Sequence, residues 1–265
     1  MIDLHLHLLP GVDDGASSLP EAERMLERAQ AAGFRTLVAT PHLNGTLSQA
    51  YQASVKAAHA LVHPVATRLG LTIERGYEIQ LAPDLPRRLA AGEPLTLAGG
   101  PTVLVELPFV GWPTFTEQVL FDVQAAGFRP LLAHPERYAE VQGDVSRALT
   151  LVERGISLQV TIGSLVGLFG KRAQRVAEEL LRRNAVDALA TDAHSAGQRI
   201  ETVVHGLGRA RDIVGPDRLH QLVVANPAAM LRGEPLPPAE PIRPTLDPEG
   251  GWFGSLRRAG RRLRG

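Results

Sequence analysis

The chain has 265 residues, 44% of them hydrophobic, and its 28 basic and 28 acidic side chains leave a formal net charge of zero. That is enough apolar material for one large domain, and the balanced charge gives no overall field toward nucleic acid. Cysteine is absent, which excludes disulfides, cysteine-type zinc sites and a thiol-based tyrosine phosphatase.

Residues 1–9 carry two histidines and no basic run, so they do not read as a signal peptide. No apolar stretch approaches the ~20 residues of a membrane span. A cytoplasmic protein is expected.

Short apolar runs at 2–5, 35–40, 71–74, 103–107, 130–133, 157–160 and 188–191 read as strands. Between most of them lie stretches with helical spacing of apolar residues. The first opens at Ser18-Leu19-Pro20-Glu21, a capping-box pattern with an early proline, and runs to Ala32, where Gly33 stops it. The others cover 48–69, 115–126, 145–154 and 171–184. Strand–helix alternation implies parallel pairing with right-handed crossovers. Seven strands point to an α/β fold closed, or nearly closed, into a (β/α) barrel, with an open doubly wound sheet as the alternative. An internal echo agrees with this. Residues 30–42 (Gln-Ala-Ala-Gly-Phe-Arg-Thr-Leu-Val-Ala-Thr-Pro-His) resemble 124–136 (Gln-Ala-Ala-Gly-Phe-Arg-Pro-Leu-Leu-Ala-His-Pro-Glu).

The last residues differ in composition. Residues 233–248 are rich in proline and acidic residues and read as a linker. Trp252, Phe253, Leu256 and Leu263 then sit among Arg257, Arg258, Arg261, Arg262 and Arg264. A flexible basic tail is expected. A basic amphipathic helix making weak contact with an anionic membrane surface is the alternative.

The chemistry lies at the strand ends. His5 and His7 are two apart on a strand, so their imidazoles share a face. Asp192 and His194 repeat that spacing near the far end of the chain. Of nine histidines, five (His5, His7, His42, His134 and His194) fall at C-terminal ends of predicted strands, where a β/α barrel carries its active site. The other four, His59, His63, His205 and His220, lie in helical stretches and read as structural or solvated. Asp13, Glu78, Glu106 and Asp192 bring carboxylates to the same level. Burying so many carboxylates without cations is very costly, so a metal centre is expected. Imidazole and carboxylate without sulfur suit manganese, iron or zinc. A carboxylate can bridge two ions about 3.5–4 Å apart, a pair that activates hydroxide for in-line displacement.

These segments are His5-Leu-His7-Leu-Leu-Pro-Gly-Val-Asp13-Asp14-Gly15, Ala39-Thr-Pro-His42, Gly76-Tyr-Glu78-Ile, Leu104-Val-Glu106-Leu-Pro-Phe109, Ala133-His-Pro-Glu-Arg137-Tyr and Thr191-Asp-Ala-His194. In order and spacing, over roughly residues 1–232, they resemble the polymerase and histidinol phosphatase (PHP) superfamily. Within it they are most similar to the bacterial manganese-dependent tyrosine-protein phosphatases of capsule and exopolysaccharide operons, the CpsB/YwqE type. Residues 163–171 (Gly-Ser-Leu-Val-Gly-Leu-Phe-Gly-Lys) resemble that group too. They are not a P-loop, because Leu165 stands at a required glycine and Arg172 at the required Ser or Thr.

The resemblance implies a distorted (β/α)7 TIM-like barrel holding three divalent ions, most simply Mn2+, with iron or zinc as alternatives. By position, the first ion takes His5, His7, Glu78 and Asp192. The second shares Glu78 and adds Glu106 and His134. The third takes Asp13, His42 and His194. Asp13 follows from motif spacing; Asp14 is then left to support the site or cap the turn at Gly15. Arg137 and Arg199, three and five residues after histidine ligands, are placed to fork onto phosphate oxygens. The implied reaction is phosphotyrosine hydrolysis by a metal-bridging hydroxide. The implied partner is a phosphotyrosine protein, a bacterial tyrosine kinase with a phosphorylated flexible tail. A histidinol-phosphate phosphatase uses the same kind of site and is the nearest competing enzyme, and a regulatory protein with structural metals is the non-enzymatic alternative. The barrel segment has no basic track for a nucleic-acid backbone, so no nucleic-acid partner is expected.

Overall fold

The computed structural model of the chain describes residues 1–242. Among them are nine strands: β1 (Ile2–Leu6), β2 (Thr36–Ala39), β3 (His42–Leu43), β4 (Thr72–Arg75), β5 (Glu78–Gln80), β6 (Thr102–Glu106), β7 (Arg129–Ala133), β8 (Ser157–Thr161) and β9 (Ala188–Ala190). All pair in parallel, in a three-stranded sheet β1-β2-β4 and a six-stranded sheet β3-β5-β6-β7-β8-β9. The fold is therefore α/β. The two sheets are continuous at both margins. Strands β2 and β4 run directly into β3 and β5, with Glu78 N–H donating to the Pro41 carbonyl at 3.2 Å. At the other margin Leu6 bridges Ala193 in parallel, His7 N–H donates to the Ala193 carbonyl and Asp192 N–H to that of His5, both at 2.8 Å.

All seven predicted strands are present. The additional ones, β3 and β5, are the two- and three-residue continuations that carry His42 and Glu78. They are too short for an alternation pattern to register, so sequence periodicity misses them. The repeated segments follow the same course: Gly33 and Gly127 both take positive φ (97° and 88°) and a strand follows each.

Side chains alternate across the strands. Leu37, Val103, Val105, Leu132, Leu158, Val160 and Leu189 join the large core beneath the helices. Val38, Leu104, Leu131, Ala133 and Ala188 join a second cluster with Leu97 and Met230. Glu106, Gln159 and Asp192 lie two, two and four positions from members of that second phase or its register partners, so they continue it at the strand ends.

The first helix, Leu19–Ala31, starts at Ser18 as expected, but the Ser18 side chain makes no capping bond. Glu21 is diverted from the capping box: its carboxylate accepts from Ala196 N–H at 2.7 Å, tying the helix to the loop that carries His194. In the helix Gln49–Arg68 the Ser48 hydroxyl does cap, accepting from Tyr51 N–H at 3.1 Å.

Part of the predicted linker is held against the body. Leu236 packs on the second cluster, Gln221 Nε2 donates to the Pro238 carbonyl at 2.7 Å, and Glu240 N–H donates to Gln221 Oε1 at 2.8 Å. The predicted basic segment at 252–264 lies outside the described residues. No helix among the described residues is long and apolar enough to cross a membrane.

Candidate metal centre

His5, His7, Glu78, His134 and Asp192 are buried to within 2% of full occlusion; His5, His7, His134 and Asp192 lie at or just past the C-terminal ends of β1, β7 and β9, and Glu78 opens β5, past the end of β4. Two of them occupy left-handed backbone conformations, His134 at φ 34° and Asp192 at φ 50°. Non-glycine residues hold such angles at a cost of about 1–3 kcal/mol, and they cluster at functional sites. Here each turn comes just after its strand, β7 ending at Ala133 and β9 at Ala190.

The imidazole nitrogens are assigned by their partners. His5 Nδ1 lies 2.9 Å from Gln159 Oε1, an oxygen that only accepts, so Nδ1 carries the proton. His7 Nδ1 lies 2.7 Å from Asp13 Oδ2 and is protonated for the same reason. In the neutral imidazoles both Nε2 atoms then present lone pairs, and they lie 3.2 Å apart. Glu78 Oε2 is 3.2 and 3.3 Å from them, and Asp192 Oδ1 3.4 and 3.5 Å. His134 Nε2 meets the other Glu78 oxygen at 2.8 Å. His42 Nδ1 lies 3.0 Å from Glu78 Oε2 and 3.3 Å from Glu106 Oε1.

Four groups of donor atoms thus converge: His5 with His7 and Asp192; His5 with Glu78 and His134; His42 with Glu78 and Glu106; and His7 with Asp14, His42 and His194. Such a set fits divalent cations. Glu78 Oε2 and His42 Nδ1 are buried without a hydrogen-bond partner, and opposed lone pairs in a dry site need positive charge between them.

The electrostatics agree. Burial alone would lower the His42 imidazole, but Glu106 and Glu78 outweigh it and push it up to about 10. His7 is likewise raised well above its ordinary value, against burial, by Asp13, Asp192 and Glu78. Burial opposes ionisation of Glu78, yet the charge of His5 and bonds from His134 and His42 hold it far below the usual carboxylate range. His194 goes the other way, down to about 4, through burial and the neighbouring His7 and Arg199 charges, so it stays neutral as a donor.

The structure separates the two adjacent aspartates. Asp13 was expected among the ligands of the third ion, but it lies outside all four donor groups. Its carboxylate turns inward and accepts from His7, from Gly15 N–H at 3.0 Å and from His42 N–H at 3.1 Å, which leaves its oxygens occupied. Asp14, exposed, puts Oδ1 3.5 Å from His42 Nε2 and 3.4 Å from His194 Nε2. The turn depends on Gly15, where a Cβ would stand 2.2 Å from the His7 carbonyl oxygen.

Glu78 is shared by two donor groups, one with His5 and His134 and one with His42 and Glu106. Arg137 and Arg199 both reach Asp192. Arg137 pairs with Oδ2; Arg199 lies 3.0 Å from the same oxygen and also donates to the Asp192 carbonyl. Sequence reasoning passed over Gln159 on β8 and the buried Asp3. Asp3 accepts from Thr191 and from His5 N–H at 3.2 Å, and burial pushes its carboxyl up to about 6. The alternation of strand β8 offered a signal for Gln159, because Ser157, Gln159 and Thr161 form a wholly polar phase opposite Leu158 and Val160, although the strand is buried.

The comparisons with known proteins agree with this arrangement. Residues 1–232 match the family model described as "Capsular polysaccharide synthesis, CpsB/CapC". The chain is 35% identical over 201 residues to tyrosine-protein phosphatase YwqE of Bacillus subtilis, covering 75% of this chain and 79% of that one. It is 25% identical over 238 residues to tyrosine-protein phosphatase CpsB of Streptococcus pneumoniae, covering 87% and 98%. A solved structure from work on YwqE and CpsB, described there as unique metal-dependent tyrosine phosphatases, superposes with a TM-score of 0.82 at 32% identity, over 92% of this chain and all of that one. The chain belongs to the CpsB/CapC family of capsular polysaccharide synthesis.

Proposed function

We propose that this protein is a metal-dependent protein-tyrosine phosphatase. The observation that carries the reading is the pair of opposed Nε2 lone pairs of His5 and His7, 3.2 Å apart and flanked by Glu78 and Asp192, with two arginines on the same carboxylate. The family relatives named as tyrosine phosphatases support it.

On this reading residues 1–232 act as one unit, and the two parallel sheets, continuous at both margins, form a distorted seven-stranded barrel. The donor groups hold three divalent ions, taken as manganese from the ligand chemistry. His5, His7, Glu78 and Asp192 would hold one; Glu78, Glu106 and His134 a second; and Asp14, His194 and His42, through its Nε2, a third. When bound, such ions supply positive charge to phosphoryl oxygens and activate water as the nucleophile.

The protein's own groups do the rest. Arg137 and Arg199 each carry five N–H donors; those not spent on Asp192 bind the oxygens of the incoming phosphate. Asp13 and Gln159 hold the tautomers of His7 and His5, so that lone pairs and not N–H groups face the ions. Water displaces tyrosine from phosphorus in line, giving inorganic phosphate. The phenol that leaves has a pKa of about 10, so its departure needs less protonation than a serine alkoxide, and an aryl preference follows. The substrate is a phosphotyrosine protein, best matched by the phosphorylated tail of a bacterial tyrosine kinase.

The test is to load the full chain with manganese and offer it a phosphotyrosine peptide, histidinol phosphate and a dinucleotide. Phosphate release from the peptide is expected to be fastest. Metal binding without hydrolysis of any of the three overturns the enzyme reading, and faster turnover of histidinol phosphate overturns the tyrosine one.

A further inference from the structure

The donor groups and arginines account for the phosphate but leave the aromatic ring attached to it without a partner. Two phenylalanines stand where that ring must pass. Phe109 follows β6, is 46% exposed, and has its ring centroid 5.6 Å from that of His134. Phe169 is half-buried at the end of the glycine-rich stretch 163–170. The Arg137 guanidinium sits between them, its central carbon 4.7 Å from the Phe109 centroid and 4.3 Å from that of Phe169. Arg199 lies 5.2 Å from the Phe169 ring. Phe169 also borders an open cavity of about 460 Å3 that it shares with Leu168, His194, Ser195, Gln198 and Arg199. That cavity therefore joins a histidine of the metal centre, a phosphate-binding arginine and an aromatic face.

We propose that the Phe169 ring is the wall against which the phenyl ring of the substrate packs, within this cavity, and that it adds to the leaving group's preference for aryl over alkyl phosphates. The inference rests on the phosphatase reading and deepens it. A ring attached through oxygen to a phosphate held at Arg199 and His194 emerges beside Leu168 and Phe169. The positive charges against the Phe169 ring hold that ring in place, and an aryl group adds offset or edge contacts that an alkyl chain cannot match.

The ring is also preorganised, which separates it from an incidental surface residue. Glu136, buried in the turn between His134 and Arg137, accepts from Thr161 N–H at 3.0 Å and from the Ser164 hydroxyl at 2.6 Å. Gln174 Nε2 donates to the Leu165 carbonyl at 3.0 Å. A Cβ at Gly163 would stand 3.0 Å from Leu168 and 3.4 Å from Phe169, so glycine there lets both side chains fold back over the loop. The glycine-rich segment thus has a purpose other than phosphate cradling: it presents an aromatic ring to the mouth.

The experiment compares kcat/KM for phenyl phosphate and propyl phosphate in the manganese-loaded full chain and in Phe169→Ala, Phe169→Leu, Phe169→Trp and Phe109→Ala. It is paired with calorimetric binding of phenylphosphonate and methylphosphonate, which needs no turnover. The aryl-to-alkyl ratio is expected to fall on the order of tenfold in Phe169→Ala and Phe169→Leu, mainly through KM, and to hold in Phe169→Trp. Phenylphosphonate is expected to lose its advantage over methylphosphonate in the same variants. An equal loss for both esters in Phe169→Leu overturns the proposal and reduces Phe169 to a support for Arg137 and Arg199. Failure of the parent to hydrolyse any phosphotyrosine peptide, with Phe169-dependent phenylphosphonate binding intact, overturns the phosphatase reading and leaves the ring-binding inference standing.

Discussion

Asp3 and Thr191, 188 residues apart in sequence, share two hydrogen bonds: the Thr191 hydroxyl donates to Asp3 Oδ2 at 2.6 Å and its N–H to Oδ1 at 3.1 Å. The same carboxylate accepts from His5 N–H. One buried side chain therefore locks β1 beside β9 and sets the backbone of both His5 and Asp192. Removing it strands three buried donors, each costing roughly 1–3 kcal/mol before relaxation. Asp3→Ala is expected to lower the unfolding free energy of the chelated protein by about 3 kcal/mol, and Thr191→Val by about 1 kcal/mol. Urea unfolding measures both, and a loss below about 0.5 kcal/mol for Asp3→Ala would show that the lock is not structural.

The adjacent aspartates should separate by experiment. Asp14 is exposed and pairs with His42 and His194, so Asp14→Ala should leave the melting temperature of the chelated protein about unchanged and remove one bound ion in a metal count. Asp13→Ala breaks three bonds and frees the His7 tautomer. It should destabilise the chelated protein by about 1–3 kcal/mol. If Asp13→Ala loses one ion at unchanged stability, the assignments are reversed.

Gln159 tests whether the support behind His5 matters to the ions. A partner that orients a ligating imidazole typically contributes about 10–100-fold in metal affinity. Gln159→Leu keeps the volume and removes the acceptor at His5 Nδ1. Competition with a chelator should show weaker manganese binding by about that factor. Unchanged affinity would mean that packing alone holds the ring.

Arg137 and Arg199 share Asp192 in the structure, so substituting either alters both phosphate contact and carboxylate orientation. Loss of one preorganised donor to a developing oxyanion costs about 100–1000-fold in kcat. Arg137→Ala and Arg199→Ala should each lower kcat/KM on a phosphotyrosine peptide by about 100-fold or more. The lysine variants should recover only part, because an ammonium cannot fork. Full activity in Arg137→Lys would argue for simple charge and against bidentate contact.

A pH effect comes from Asp187, away from the metal centre. Burial raises its carboxyl above the ordinary 3.8, with bonds from Ser157 and Leu158 and the charge of Arg218 opposing. The folded protein keeps this proton after the unfolded chain has released it. Stability assigned to Asp187 therefore falls as pH rises from about 3.8 through the raised value, then levels off. Replacing the group by Asn removes that slope. Urea midpoints of chelated parent and Asp187→Asn should diverge in favour of the variant across that window and run parallel above it. A pH-independent difference would contradict the assignment.

The fold was readable because its signals are local. Period-two apolar runs, helical spacing and glycine stops each depend on a few neighbours, and they locate the seven principal strands in order. The short continuations at His42 and Glu78 were not readable, since two or three residues carry no period. The capping box at Ser18 misled for a tertiary reason: Glu21 bonds better to Ala196 N–H, in a loop 175 residues away, than to its own helix end. Phe169 was hidden in a glycine-rich stretch whose composition drew attention to the backbone and away from the ring.

By itself the sequence determined the alternation of strand and helix and the kind of donor at each strand end, because both are properties of short segments. Tertiary structure alone decided which donors meet. His5, His7, Glu78 and Asp192 converge only because β1 lies beside β9. Asp14 and not Asp13 faces His42 and His194, because a turn at Gly15 spends the first carboxylate on N–H groups. The His5 tautomer is set by Gln159, 154 residues away, and the Glu78 carboxylate meets His134, 56 residues away, so that information exists only once the chain has closed on itself.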